Sequence, residues 1–278
     1  MKIESCCRTR IFFTFQFSLF NFKTMYLRCF DSLESTNQYC ELLDLATVEE
    51  FTVISTREQT AGIGQRGNCW NAEPGKNITF SLVLKPVFLP MEDQYMLTKA
   101  VSLGIADWLS GILPHGQQVR IKWPNDIYVG DKKICGVLIS TRVQRNRLAT
   151  AIVGVGLNVN QTVFPDWVPN PTSLKLITGK EMPTEEALKG VVGAIDRRYR
   201  QLHATFPDHT EEMDAAYLSS LLNLGKECAY LYHDKKIRAV ITGVNRFGHL
   251  ELVTTEGENL VCQLKELKLL LDKLKIES

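Results

Sequence analysis

The spacing of apolar residues along the chain predicts both helices and strands. Apolar side chains recur every three to four positions over residues 92–113 and 184–206, which predicts two long helices. A further helix follows the break at Pro207 and runs to Leu224. Continuous apolar runs predict strands at residues 25–30, 51–56, 78–84, 119–129, 132–139 and 148–159. This mixture is typical of an α+β domain with a mixed β-sheet and flanking helices.

The pattern changes after Gly225, where the apolar period becomes two. Short strands separated by turn residues are predicted at residues 228–232, 237–244, 250–254 and 259–264. Strands of this length and spacing are typical of a small β-barrel. We therefore expect a larger domain over residues 25–224 and a small barrel over residues 225–278.

Residues 1–24 differ in composition from the rest of the chain. A phenylalanine-rich stretch over residues 11–22 follows Lys2, Arg8 and Arg10, as in a signal peptide, but no small-residue cleavage site comes after it. The stretch is also too short to cross a bilayer. We favour an upstream extension of doubtful significance, with Met25 as the start of the folded protein, over a signal peptide.

Three polar residues precede the apolar pattern that begins at Tyr39. Ser35 or Thr36 is therefore expected to cap a short helix that reaches about Leu45. The first amides of such a helix suit an anion or a polar ligand group. Plain helix capping, with no ligand, is the alternative.

A glycine-rich segment between two predicted strands is the first candidate site. Gly62, Gly64 and Gly67 allow close backbone approach, Arg66 adds positive charge, and Trp70 adds an apolar plane. The spacing fits the dinucleotide-binding fingerprint, but a strand follows where that fingerprint needs a helix. A simple surface turn is the alternative, but so long a loop in a compact domain favours a functional role in binding an anionic ligand with an organic body.

Polar residues also interrupt two later strands. Trp123-Pro124 breaks the predicted strand over residues 119–129 and leaves Asn125 and Asp126 at that break, with Lys133 across the next turn. Asp126 and Lys133 form either part of a ligand site or a surface ion pair. The run Gly154-x-Gly156-x-Asn158 again permits close backbone approach from within a strand.

Composition narrows the classes of function. Hydrophobic residues make up 45% of the chain and charged residues 23%, which is typical of a globular protein. The net charge of +1 argues against a broad nucleic-acid surface. The eight cysteines contain no C-x-x-C pair, so neither a zinc site nor a disulfide framework is indicated. Reduced thiols predict a cytoplasmic protein. The net charge predicts that it binds no nucleic acid, and the short apolar stretch near the N-terminus predicts that it binds no membrane.

Five motifs, in this order and spacing, resemble the biotin protein ligase family. They are Asp31-Ser32-Leu33-Glu34-Ser35-Thr36-Asn37, Gln59-Thr60-Ala61-Gly62-x-Gly64-x-Arg66-Gly67-Asn68-x-Trp70, Lys122-Trp123-Pro124-Asn125-Asp126, Lys133-x-x-Gly136 and Gly154-x-Gly156-x-Asn158. The resemblance runs from about Met25 to the C-terminal barrel. It implies a catalytic domain similar to class II aminoacyl-tRNA synthetases, followed by an SH3-like barrel. Few residues precede Met25, so the chain resembles members that lack an N-terminal DNA-binding domain.

The resemblance implies a two-step ligase reaction. Biotin and ATP, with Mg²⁺ held mainly by the ATP phosphates, would give biotinyl-5′-AMP and pyrophosphate. The biotinyl group would then pass to a specific lysine of a biotin carboxyl carrier protein or domain of a biotin-dependent carboxylase. The family also implies a monomer or weak homodimer.

The resemblance also implies a role for each motif residue. Catalysis would fall to Lys133, Asp126 and Arg66, with Asp126 near the incoming amine. Residues implied in biotin binding are Ser35, Thr36, Asn37, Gln59, Gly62, Ile63, Gly64, Gln65, Lys133, Gly136 and Gly156. Residues implied in ATP binding are Arg66, Trp70, Asn125, Lys133 and Asn158, with Trp70 stacking on adenine and Asn158 meeting phosphate or metal.

The glycine segment departs from the family pattern. Many members have arginine at the positions of Ile63 and Gln65, and some at Asn68, which puts retention of the adenylate in doubt. Lipoate ligases are an alternative, but they typically carry an Arg-Arg-x-x-Gly-Gly-Gly segment that this sequence lacks. A biotin-binding module that has lost catalysis is another, although the presence of Lys133 and Asp126 argues against it.

Overall fold

The larger sheet has eight strands in the described part of the chain, and helices pack against it. The structure is a computed structural model that describes the backbone of residues 11–17 and all atoms of residues 25–65, 69–264 and 266–270. The strands are β1 Ile11–Phe17, β2 Met25–Leu33, β3 Thr52–Gln59, β4 Ile78–Leu84, β5 Val119–Lys122, β6 Asp126–Val129, β7 Lys132–Gln144 and β8 Arg147–Leu157. Their spatial order is β1-β2-β3-β4-β8-β7-β6-β5, and only the β2–β3 pair is parallel. The predicted mixed sheet is confirmed.

Five helices occur in the described residues. They are α1 Thr36–Glu41, α2 Tyr95–Ile112, α3 Leu174–Thr178, α4 Thr184–Thr205 and α5 Glu211–Ser220, and a 3₁₀ turn at Met91–Asp93 precedes α2. The two long helices pack closely, because Gly104 of α2 lies where a Cβ would come within 2.8 Å of the Ala194 carbonyl oxygen of α4.

Strand β4 shows how the sheet separates two layers. All seven of its residues are buried. Phe80, Leu82 and Leu84 face the core shared with α2 and α4, whereas Val83 belongs to a smaller cluster with Cys40 of α1. Thr79 and Ser81 alternate with the first set and therefore point to the α1 side. Polar strand residues are thus buried on the face that carries α1.

The C-terminal residues form a second, antiparallel sheet. Its strands are β9 Glu227–Tyr232, β10 Lys235–Val244, β11 Leu250–Thr254, β12 Asn259–Cys262 and β13 Leu267–Leu269, in the order β12-β11-β10-β9-β13. The predicted small barrel-like domain is confirmed, and β13 is a strand that the apolar pattern did not reveal.

Two predicted helices end earlier than expected. Helix α1 stops at Glu41 and not near Leu45, because the Asp44 side chain accepts from the Ala46 amide and its carbonyl accepts from Thr47, which builds a turn. Helix α5 stops at Ser220, since the amide of Leu222 donates instead to the carbonyl of Ile121. Local turn chemistry and pairing with β5 override the helical pattern.

The predicted strand over residues 119–129 is a hairpin of two strands. Lys122 at the end of β5 pairs with Asp126 at the start of β6, and the Trp123–Pro124 peptide bond in the intervening turn is cis. The prediction of one interrupted strand was therefore wrong. The turn places the side chain of Asp126 at the start of β6, where it lines the cleft.

Part of the N-terminal segment joins the larger sheet. The backbone of Ile11–Phe17 pairs antiparallel with β2, with Phe17 opposite Met25. A domain boundary at Met25 stays a prediction. If the folded domain begins there, the larger sheet has to be stable without β1 at its edge.

Candidate active site

A cleft of about 690 Å³ opens on the α1 face of the larger sheet. This volume suits a small organic ligand. The cleft brings together most of the motif residues, namely Ser35, Thr36, Asn37, Gln59, Ile63, Gly64, Gln65, Trp70, Asn125, Asp126, Lys133, Gly136, Gly156 and Asn158. Gly62 lies behind this lining and is buried, and Arg66 lies outside the described residues.

A buried polar cluster closes one end of the cleft. The oxygen Oε1 of Gln59 accepts from the amide of Thr36 at 2.8 Å and from its hydroxyl at 3.2 Å. Ser35 caps α1, and its hydroxyl accepts from the Gln38 amide at 3.5 Å. Ser35 and Thr36 are 3% and 4% exposed, so this cluster is held in place before any ligand contact.

Ser81 is a member of this cluster that the motif analysis missed. Its hydroxyl lies 2.8 Å from Thr36 Oγ1 and 2.5 Å from Asn37 Oδ1, and Asn37 Nδ2 donates to the Leu138 carbonyl at 3.4 Å. Burial raises the pKa of the neighbouring Cys40 thiol to about 12, so that thiol is neutral near pH 7. The signal for Ser81 was a polar residue within a strand whose other side chains are mostly apolar.

The glycine segment folds back on itself at the rim of the cleft. The amide of Trp70 donates to the Gly62 carbonyl at 2.9 Å, and Ile63 forms a β-bridge with Cys69. A Cβ at Gly62 would overlap the Trp70 carbonyl oxygen. Glycine is therefore required at position 62 for the segment to double back. Ile63, which is 41% exposed, lines the cleft.

The Trp70 indole rests on a floor of two glycines from adjacent strands. Gly136 of β7 is in register with Gly156 of β8. A Cβ at Gly156 would overlap the indole, and one at Gly136 would approach it to 3.2 Å. Among the described residues, no acceptor reaches the buried indole nitrogen Nε1. A ligand that contacts these glycine backbones has to share or displace the indole.

An ion pair forms the charged centre of the cleft. Lys133 Nζ lies 2.8 Å from Asp126 Oδ1, and the two side chains are 28% and 23% exposed. The Lys133 ammonium also lies 5.8 Å from the centre of the Trp70 ring. The side chain of Asn125 donates to the Val137 carbonyl, which ties this residue to β7. The expected approach of Lys133 to Asp126 is confirmed.

Asn158 presents a buried acceptor to the same cleft. Its Nδ2 donates to the Thr172 carbonyl at 2.9 Å, while its Oδ1 has no hydrogen-bond partner within the described parts of the chain. The residue is 4% exposed. A buried acceptor without a donor is costly unless a ligand supplies one, so Asn158 Oδ1 suits a ligand contact.

Further residues around the cleft were not predicted. Aromatic and apolar side chains from the segment after β8 line one part of the cleft, and a lysine from β13 lines another. These residues are Phe164, Trp167, Val168 and Lys268. Trp167 is 62% exposed. An exposed tryptophan in a loop was the available signal, although the sequence did not place that loop beside Lys133.

Comparisons with known proteins agree with this arrangement. A family model described as the biotin/lipoate A/B protein ligase family matches residues 29–158. The biotin--[acetyl-CoA-carboxylase] ligase of Paracoccus denitrificans is 30% identical over 175 residues, which cover 61% of this chain and 71% of that protein. The chain belongs to the biotin protein ligase family. The resemblance drawn from the five motifs is thereby confirmed.

A solved structure and a longer relative extend the comparison. Biotin protein ligase from Aquifex aeolicus, in complex with biotin and ATP, aligns with a TM-score of 0.71 and 27% identity, covering 88% of this chain and 98% of that one. The bifunctional ligase/repressor BirA of Bacillus subtilis is 30% identical over 173 residues, 61% of this chain and 52% of that protein. The match to this relative spans about half of its length.

The length and polarity of the helices bear on membrane insertion. None of the helices in the described part of this ligase-family chain is both long enough and apolar enough to cross a bilayer.

Proposed function

We propose that this chain is an ATP-dependent biotin protein ligase. Residues 25–224 would form the biotin- and ATP-binding catalytic domain, and residues 225–278 the SH3-like domain. The reaction would form biotinyl-5′-AMP from biotin and ATP and then transfer the biotinyl group to a lysine of a carrier domain.

The Lys133–Asp126 pair, which lines the same cleft as the buried polar cluster, is the observation that carries the proposal. A cation and a carboxylate 2.8 Å apart supply opposite charges at one point of the cleft. The polar cluster at Thr36 and Gln59 offers donors and acceptors for a urea-like ring. Biotin has that ring at one end and a carboxylate at the other, so both ends would find matching chemistry.

Lys133 would serve the first step. One carboxylate oxygen of biotin attacks the α-phosphorus of ATP, a P–O bond forms, and the bond to the leaving pyrophosphate breaks. A preorganised ammonium stabilises the negative charge that builds up on the phosphoryl oxygens. Lys133 is suited to this role because backbone hydrogen bonds on both sides fix it, from its amide to Asn170 at 2.7 Å and from Thr172 to its carbonyl at 2.9 Å.

Asp126 would serve the second step. The ε-amine of the carrier lysine attacks the carbonyl carbon of the mixed anhydride, an amide bond forms, and AMP leaves. The attacking amine is neutral, so the ammonium group of the carrier lysine first gives up a proton to water, and the Asp126 carboxylate can attract and orient that ammonium group beforehand. Asp126 is the first residue of β6 and lines the cleft, where a protruding lysine could reach it.

Mg²⁺ would enter as part of the ATP substrate. Hard cations prefer oxygen ligands, and the cleft offers Asn158 Oδ1, which lacks a donor within the described residues. This oxygen fits the group, and Mg²⁺ bound to ATP would neutralise part of the phosphate charge. Arg66, Trp70 and Asn125 would complete the ATP site.

The partner would be a biotin carboxyl carrier protein or domain of a biotin-dependent carboxylase in the cytoplasm. Relatives from Paracoccus denitrificans and Mycobacterium tuberculosis are named as acetyl-CoA-carboxylase ligases, which supports this class of partner. A net charge of +1 supports the absence of a nucleic-acid partner. We propose a monomer or weak homodimer.

Exchange of labelled pyrophosphate into ATP tests the first step alone. Purified protein should catalyse exchange that depends on biotin and does not occur with lipoate. Exchange that depends on lipoate would make the chain a lipoate ligase. Binding of biotin without any exchange would favour the binding module that has lost catalysis.

A further inference from the structure

Two buried tyrosines hold the hairpin turn of residues 123–125, which directly precedes Asp126. The carbonyl of Pro124 accepts from the hydroxyls of Tyr95 and Tyr217 at 3.4 and 3.3 Å. These two hydroxyls lie 2.7 Å apart, and both rings are buried in the core. Helices α2 and α5 therefore grip the backbone two residues before Asp126.

The C-terminal domain supplies a third hold on the same turn. The indole nitrogen of Trp123 donates to the carbonyl of Gly248 at 3.0 Å. Gly248 has φ of +84°, and a Cβ there would overlap the ring of Tyr95. Glycine is required at position 248 both by the backbone conformation and by the contact with the tyrosine.

Residues 245–249, here called the C-terminal turn, are fixed in turn to the catalytic domain. Arg246 donates to both oxygens of Asp93, at 2.5 and 2.7 Å, and to Glu92 at 2.8 Å. Asp93 is 6% exposed, so this is a two-pronged contact to a buried carboxylate. Asn245 Oδ1 accepts from the amides of Phe247 and His249, which rigidifies the turn itself.

We propose that the C-terminal turn is a positioning element for Asp126 in biotin transfer, with Arg246 and Gly248 as its positioning residues. The inference rests on the proposed function. Asp126 depends on the C-terminal turn because Gly248 of that turn holds Trp123, and Asp126 lies three residues after Trp123 in the same hairpin. Lys133 depends on it less, because its backbone is held by Asn170 and Thr172. A change that loosens the C-terminal turn should therefore slow biotinyl transfer to the carrier more than it slows adenylate formation.

Arg246→Ala tests the proposal, with Arg238→Ala as the matched control. Arg238 lies on β10, away from the C-terminal turn, and pairs with Glu227 of the same domain. Each variant therefore removes one arginine of the C-terminal domain together with its ion pair. Single-turnover transfer from preformed adenylate to a carrier domain should fall about tenfold or more in Arg246→Ala, since small misplacements of reacting groups cost that much. Pyrophosphate exchange should stay within about twofold, and Arg238→Ala should match the parent in both.

Three more variants separate positioning from loss of stability. Gly248→Ala should give a transfer defect at least as large as that of Arg246→Ala. Arg246→Lys keeps the positive charge but not the paired hydrogen bonds of the guanidinium to Asp93, so it should recover part of the transfer rate. In an Asp126→Asn background, Arg246→Ala should add no further transfer defect, because both changes act through one group. Thermal unfolding of every variant shows whether the fold is kept.

The results separate this inference from the proposed function. Transfer in Arg246→Ala that equals transfer in Arg238→Ala would overturn the positioning role, as would equal losses in transfer and exchange. A parent chain that performs neither half-reaction overturns the proposed function itself.

Discussion

Replacing Ser81 with alanine removes one hydroxyl from the buried cluster that we assign to the biotin ring. Ser81 is 0% exposed, and Asn37, whose Oδ1 lies 2.5 Å from its hydroxyl, is 7% exposed. The substitution leaves the Asn37 oxygen without that donor and leaves the Thr36 hydroxyl held by Gln59 alone. Both changes follow from deleting a single oxygen atom.

The size of the effect follows from burial. An unsatisfied buried acceptor costs about 1–3 kcal/mol, so we expect a loss of ~2 kcal/mol in the free energy of unfolding. For a domain of this size that loss lowers the melting temperature by about 4–8 °C. A Thr36 hydroxyl that no longer has one fixed orientation should raise the KM for biotin about tenfold, with kcat at saturating biotin little changed.

Ser102→Ala is the matched control for Ser81→Ala. Ser102 is also 0% exposed, but its hydroxyl has no hydrogen-bond partner among the described residues. Its removal should leave the melting temperature unchanged or higher and the biotin KM unchanged. The measurements are thermal unfolding and biotin-dependent pyrophosphate exchange. A lower melting temperature in Ser81→Ala with an unchanged KM for biotin would refute the assignment of this cluster to the biotin ring.

Three other changes test separate parts of the account. Lys133→Ala should slow adenylate formation by about 10²–10³, whereas exposed Lys132→Ala should not; unchanged pyrophosphate release in the first variant would remove Lys133 from the mechanism. A chain beginning at Met25 should keep full activity and its melting temperature if residues 1–24 are dispensable, and a large drop would show that β1 is needed as the sheet edge. Ile63→Arg should slow release of labelled adenylate about tenfold, because a charge-assisted hydrogen bond is worth ~1.5–3 kcal/mol; unchanged or faster release would mean that adenylate is already held by other groups.

Local patterns were sufficient to predict most elements of the fold. Alternating apolar residues predicted β9 to β12 of the C-terminal domain, and the helical stripe over residues 184–206 predicted α4 almost to the residue. These elements bury one face each, so their sequences carry the period of the structure. Short elements with few apolar residues, such as Leu174–Thr178, carry too little pattern to be recognised.

The hairpin at Trp123 shows what a single sequence does not contain. A strand interrupted by proline and a hairpin with a three-residue turn have the same apolar pattern on either side. The structure decides between them because Lys122 pairs with Asp126, and because Tyr95 and Tyr217 from distant helices hold the turn. These are long-range contacts that spacing alone could not predict.

The sequence predicted which residues line the cleft better than it predicted what each of them contacts. The glycine at position 156 indicated close approach of another group, and the structure identifies that group as the Trp70 indole. Ser81 and Arg246 were missed because each acts through residues far along the chain. A polar residue in a strand or an arginine in a surface turn has many ordinary explanations without those partners.

Mass spectrometry of a carrier domain tests the central claim most directly. The purified chain is incubated with ATP, Mg²⁺, a biotin carboxyl carrier domain and either biotin or lipoate, and the intact carrier mass is then measured. We predict the addition of one biotinyl group to the carrier, lost when its acceptor lysine is replaced by arginine and nearly absent with Lys133→Ala. An unmodified carrier after incubation with biotin, or a lipoyl adduct in its place, would contradict the account.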